Sequence, residues 1–95
     1  MTDQQIADKY AAFEERYRAH GAREDALETA VNTLKELWDA AVEAEKSTVP
    51  EVRAIGIDKQ DGVLPLLNQM KERLAHEQDA GDQYNRDMAE FEAKI

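Results

Sequence analysis

Cysteine is absent from this chain, so disulfides, thiolate metal sites and cysteine nucleophiles are excluded. Glycine and proline are scarce, 4 and 2 among 95 residues, which removes most of the usual helix breakers. No apolar run approaches the roughly 20 residues that a membrane-spanning helix needs. Residues 1–8 carry neither the basic patch nor the apolar stretch of a signal peptide, so the expectation is a soluble cytoplasmic protein. Enzymatic motifs are missing as well. There is no glycine-rich phosphate loop, Ser47 is the only serine, and no nucleophile stands at a readable spacing from a base. A non-enzymatic role without a cofactor is therefore expected. Positive charge is also in short supply: 12 Lys and Arg against 21 Asp and Glu leave a net charge of −9. Such a chain is repelled by phosphate backbones and anionic lipid, which argues against direct nucleic-acid or membrane binding.

What is present points to helix. Apolar residues make up 42% of the chain, enough to fold despite 35% charged residues. The remainder is dominated by Ala, Glu, Lys, Arg, Gln and Leu, the residues that lose least on entering a helix. At 95 residues this is one small all-α domain, near the lower limit of what a single core can stabilise.

The organising stretch is 26–42. Leu27, Val31, Leu34, Trp38 and Ala41 recur at alternating steps of four and three, the signature of a helix burying one stripe. Backwards, the stripe continues through Glu24, His20, Tyr17, Phe13, Tyr10 and Ile6 without losing register at Gly21. One helix over 3–46, capped by Thr2 or Asp3, is favoured over two helices broken at Gly21. A connector over 47–61 follows, with a short helical turn at 51–55 stopped by Gly56 and an irregular stretch from Asp58 to Gly62. Asp61 then caps a helix over 62–94, in which Pro65 falls within the first turn.

This later helix carries its own stripe of Val63, Leu67, Met70, Leu74, Glu77, Gly81, Tyr84, Met88, Phe91 and Ile95. Laid antiparallel, the stripes pair Ile6 with Ile95, Tyr10 with Phe91, Tyr17 with Tyr84, Leu34 with Leu67 and Trp38 with Val63. Every pair of residue numbers has the same sum, and the polar interruptions, His20 and Glu24 against Gly81 and Glu77, fall at one level. Facing stripes of this kind define an antiparallel helical hairpin with coiled-coil packing.

Three features bear on function. Leu37, Val42, Leu64 and Leu66 flank the seam near the connector and exceed what one partner helix covers. Val49, Val52, Ile55 and Ile57 could fold back over them; a second copy, making a homodimeric four-helix bundle, is the other cover. Next, His20, Glu24 and Glu77 converge in the polar layer. They are weak candidates for a bundle metal site, since the Glu-x-x-His spacing of di-iron bundles is absent, and a water-filled layer that fixes register is favoured. If Glu24 and Glu77 meet, one of them should have a raised pKa. Finally, Asp79, Asp82, Asp87, Glu90 and Glu92 crowd the last helix, opposed by Arg86 and Lys94.

The function expected from these features is an acidic interaction module that self-associates and binds a basic protein surface. Two alternatives stand beside it. One is a phage-type inhibitor of the anti-restriction or anti-CRISPR kind, mimicking the DNA charge field to block a partner's nucleic-acid site. The other is a helical-bundle metal-binding protein.

Overall fold

The computed structural model describes Met1–Ile95 and contains two helices, α1 (Asp3–Glu45) and α2 (Pro50–Ala93), packed against each other as an antiparallel hairpin. α1 opens with a capping box. Thr2 Oγ1 accepts from the Gln5 backbone N–H at 3.2 Å, and Gln5 Oε1 accepts from the Thr2 N–H at 2.9 Å. The helix then runs through Gly21 without interruption. It closes by tightening: the N–H groups of Lys46 and Ser47 reach back three residues to Glu43 and Ala44.

The connector is much shorter than the sequence pattern suggests. Ser47 Oγ accepts the Val49 N–H at 3.1 Å, and the Val49 carbonyl accepts the Arg53 N–H as the first α-helical bond. Pro50 thus occupies the first helical position, where its missing N–H costs nothing. The expected stop at Gly56 and irregular segment at 58–62 are both helical, and Pro65 lies well inside α2. Its exposed position lets the ring face away from the seam. Packing explains the continuity. The sum rule that pairs Trp38 with Val63 also pairs Ala41 with Gln60 and Glu45 with Gly56, so the seam persists to the turn. Gln60 Nε2 donates to Glu45 Oε2 at 2.6 Å. Gly56 is buried against α1.

The chain forms two compact units, Leu27–Leu74 and Met1–Ala26 with Ala75–Ile95. In the first, Val31, Ala41, Gly56 and Leu67 are buried, and Leu27, Leu34, Trp38, Val63, Met70 and Leu74 are half-buried. These are the stripe residues together with Gly56. Val49, Val52, Ile55 and Ile57 do not fold back as a cover; Val49 lies in the turn, the other three are helical, and all four remain exposed. Leu37, Leu64 and Leu66 are exposed too, while Val42 is half-buried.

In the second unit the core is aromatic. Phe91 is buried, with the Tyr10 ring set edge-on at 5.3 Å and the Phe13 ring at 5.6 Å. Phe13 also meets Tyr84 edge-on at 6.0 Å, and Tyr17 lies 5.7 Å from Tyr84. Offset and edge-to-face contacts suit the ring quadrupoles, adding about 0.5–1.5 kcal/mol per pair beyond area burial. Tyr10–Phe91 and Tyr17–Tyr84 are the pairs that the antiparallel register requires.

Candidate partner-binding site

The polar layer sits in the aromatic unit and is built around His20. Its Nδ1 faces Glu77 Oε1 at 2.9 Å, and its Nε2 faces Glu24 Oε2 at 3.5 Å. Arg23 Nε donates to the same Glu77 oxygen at 2.9 Å. Gly81 leaves room for the imidazole, since a Cβ there would stand 2.7 Å from His20 Nε2. The two carboxylates therefore flank opposite ring nitrogens rather than one point. No group of three His, Asp or Glu side chains is placed to hold a metal ion.

Glu77 does not show the raised pKa expected of facing carboxylates. The Glu77 pKa is lowered below its ordinary 4.5, first by the hydrogen bond with His20 and then by Arg23. The expectation of a raised value fails for Glu77 because the carboxylate turns toward two nitrogen donors instead of toward Glu24. Arg23, four residues before the stripe position Leu27, completes this layer from beside the seam.

A depressed carboxylate pKa stabilises the fold above the unfolded-state value and loses that contribution as pH falls through the folded-state value. Glu77→Gln is therefore expected to be less stable than wild type at neutral pH, with the difference closing between about pH 5 and strongly acidic conditions. Urea denaturation at a series of pH values measures it. A difference that stays constant throughout the acid range would show that the Glu77 charge is not the source.

The five acidic candidates on α2 do not form one patch. Asp87 is half-buried and bonded to Arg16 Nη1 at 2.8 Å, and Gln83 also donates to it. These contacts, Arg16 first, lower its pKa. Glu90 lies 3.5 Å from Lys94. Asp87 and Glu90 line a groove with Lys9 and Lys94, so this flank is of mixed charge. Asp79, Asp82 and Glu92 are exposed and make no ion pair. Helical spacing puts Asp82 and Glu92 on the other flank, with Asp79 on the outer side of the helix.

That other flank holds an open notch of about 260 Å³. His20 and Gly81 line it together with Tyr17, Tyr84, Glu24 and Asp82. Tyr17 is exposed. The notch is smaller than the roughly 300–1,000 Å³ typical of small-molecule pockets. Its lining combines aromatic rings with carboxylates, a chemistry that suits one cationic side chain. Tyr84 already accepts such a group from within the chain, with the Arg16 guanidinium 5.6 Å from its ring centroid.

No family model matches this chain, and no curated protein or solved structure matches it. No helix is long and apolar enough to cross a membrane.

Proposed function

We propose that the chain is a non-enzymatic interaction module: a self-associating helical hairpin whose acidic flank binds a basic protein surface. The observation that carries this reading is the notch between Tyr17 and Asp82, where the Asp82 carboxylate makes no ion pair and Glu24 meets only the His20 ring. A basic side chain entering it meets aromatic rings and unneutralised charge in one place, whereas the opposite flank offers Asp87 and Glu90 already facing Arg16 and Lys94. Electrostatic contacts of this kind raise association rates and weaken with added salt.

The second reading, mimicry of a nucleic acid, draws on the same unpaired acids. It is less well supported, because Arg16, Arg23, Lys9 and Lys94 interrupt the negative field of this unit. A bundle metal site receives no support from the opposed placement of Glu24 and Glu77 about His20.

The test is capture of partners from the native cell by tagged wild-type protein, compared with two double variants at low and moderate salt. Asp82→Lys with Glu92→Lys is expected to lose the partner at least tenfold, while Asp87→Lys with Glu90→Lys retains it more fully. Partners held equally by wild type and the Asp82/Glu92 variant would refute the acidic-flank reading. If the partner proves to be a nucleic-acid-binding protein displaced by DNA or RNA, mimicry takes precedence.

A further inference from the structure

We infer that one flank of the Leu27–Leu74 unit, the edge bearing Leu37, Ile55 and Leu66, is a homodimer interface that seats a second copy of this chain. The inference deepens the self-association in the proposed function and names the surface responsible. Leu37, Ile55 and Leu66 are each about half exposed, an unusual concentration of large apolar side chains in a chain with net charge −9. Leu37 and Ile55 border a groove of about 400 Å³, whose other walls include Ala40, Ala44, Gly56 and Lys59. Leu66 stands seven residues beyond Lys59 and lies on the same flank. By the same spacing, Leu64 and Ile57 fall on the opposite flank, and Val42 lies across the seam from Leu37. The four apolar residues that drew attention in the sequence thus belong to two surfaces.

Only the Leu37 surface is nearly free of charge. Along α1 it presents Ala30, Thr33, Leu37, Ala40 and Ala44, a second run at steps of three and four beside the seam. Glu28, Lys35, Glu36, Asp39 and Glu43 all point elsewhere on the helix. Along α2 the same flank carries the bulkier Ile55 and Leu66, and its charges, Lys59 and Arg73, are both basic.

A two-fold axis parallel to the helices sets α1 of each copy against α2 of the other, again antiparallel. At matching levels along the axis, Ile55 falls beside Ala44 of the second copy and Leu66 beside its Leu37. Apolar side chains meet apolar side chains in this arrangement, and every helix keeps antiparallel neighbours, as in a four-helix bundle.

The exposed area is large enough for a second copy to be the occupant. The chain exposes 6844 Å². A compact monomer of 10.8 kDa exposes about 5,500 Å². The surplus of roughly 1,300 Å² per chain exceeds the ~800 Å² that each partner contributes to a standard stable interface.

Sedimentation equilibrium at high micromolar concentration, with circular dichroism to follow helix content, tests the assignment without any external partner. Wild type is expected at twice the mass of the 10.8 kDa chain. Leu66→Glu and Leu37→Glu should each halve that mass, while Leu64→Glu, on the other flank, remains dimeric. Loss of helix together with mass in the first two, but not in Leu64→Glu, also supports the assignment, because it shows the dimer stabilising the fold from this flank. A monomeric wild type overturns it, as does a dimer that Leu64→Glu disrupts while Leu66→Glu does not. Partner capture by the Asp82 and Glu92 variants is read separately, so either conclusion can fail alone.

Discussion

Gly56→Ala is expected to lower the stability of the hairpin by about 1–3 kcal/mol, although alanine is the better helix former. The added Cβ would lie 2.5 Å from the Glu45 nitrogen, 2.6 Å from the Ala41 carbonyl oxygen and 2.9 Å from the Ala44 carbonyl carbon. All three are backbone atoms, so no rotamer change relieves the overlap. The helices must separate near the turn, which also stretches the Gln60 bond to Glu45. Gly21 and Gly62 are the controls, since a Cβ at either meets nothing within 4 Å. Alanine there should stabilise by up to about 1 kcal/mol, through helix propensity and a less flexible unfolded chain. Urea denaturation of the three variants measures the contrast. Stabilisation by Gly56→Ala equal to that by Gly62→Ala would mean that α1 and α2 do not approach so closely at this level.

Leu67→Ala should cost about 2–5 kcal/mol, a large share of the 5–15 kcal/mol expected for a domain of this kind. Leu67 is 5% exposed, and only three other apolar side chains are buried, Val31, Ala41 and Phe91. With so few, loss of one is not spread over a large core. Leu64→Ala is the phase control. Three residues earlier and 42% exposed, Leu64 has already kept much of its surface in water. Its truncation should cost less than about 1 kcal/mol, well below the price of Leu67→Ala. Equal losses at the two positions would contradict the rotation of α2 about its axis.

Both expectations concern α2, the element that was least legible beforehand. The α1 stripe was readable because nearly all its positions are apolar or aromatic and its two exceptions, His20 and Glu24, keep the register. In α2 the seam near the turn passes through Gln60 and Gly56. Neither is apolar, so hydrophobic periodicity vanishes there although packing continues. Gly56 resembles a helix stop by propensity, yet the absence of a side chain is what admits α1. Pro65 resembles a first-turn proline with Asp61 as its cap, but Pro50 already fills that role. Extending the constant-sum pairing beyond Trp38 and Val63 supplies the signal that hydropathy lacked.

The candidate site was legible in part. The level of the polar layer followed from the register, and His20 does lie against Gly81 and Glu77. Which neighbours satisfy each carboxylate did not follow, because Arg23 and Arg16 reach sideways from positions beside the seam. Those two arginines decide that Glu77 and Asp87 are bonded internally. Counting acids along α2 missed that the helix distributes Asp82 and Asp87 to different flanks. The same limit applied to Leu64 and Leu66, neighbours in sequence whose side chains leave the helix in different directions.

The antiparallel register itself is best tested by cysteine cross-linking, which the absence of native cysteine makes unambiguous. A chain carrying Leu34→Cys and Leu67→Cys should form a disulfide within one molecule on mild oxidation, while Leu27→Cys with Leu67→Cys, displaced by two helical turns, should not. Ready closure of the 27–67 pair with an inert 34–67 pair would contradict the register, and with it the hairpin described here.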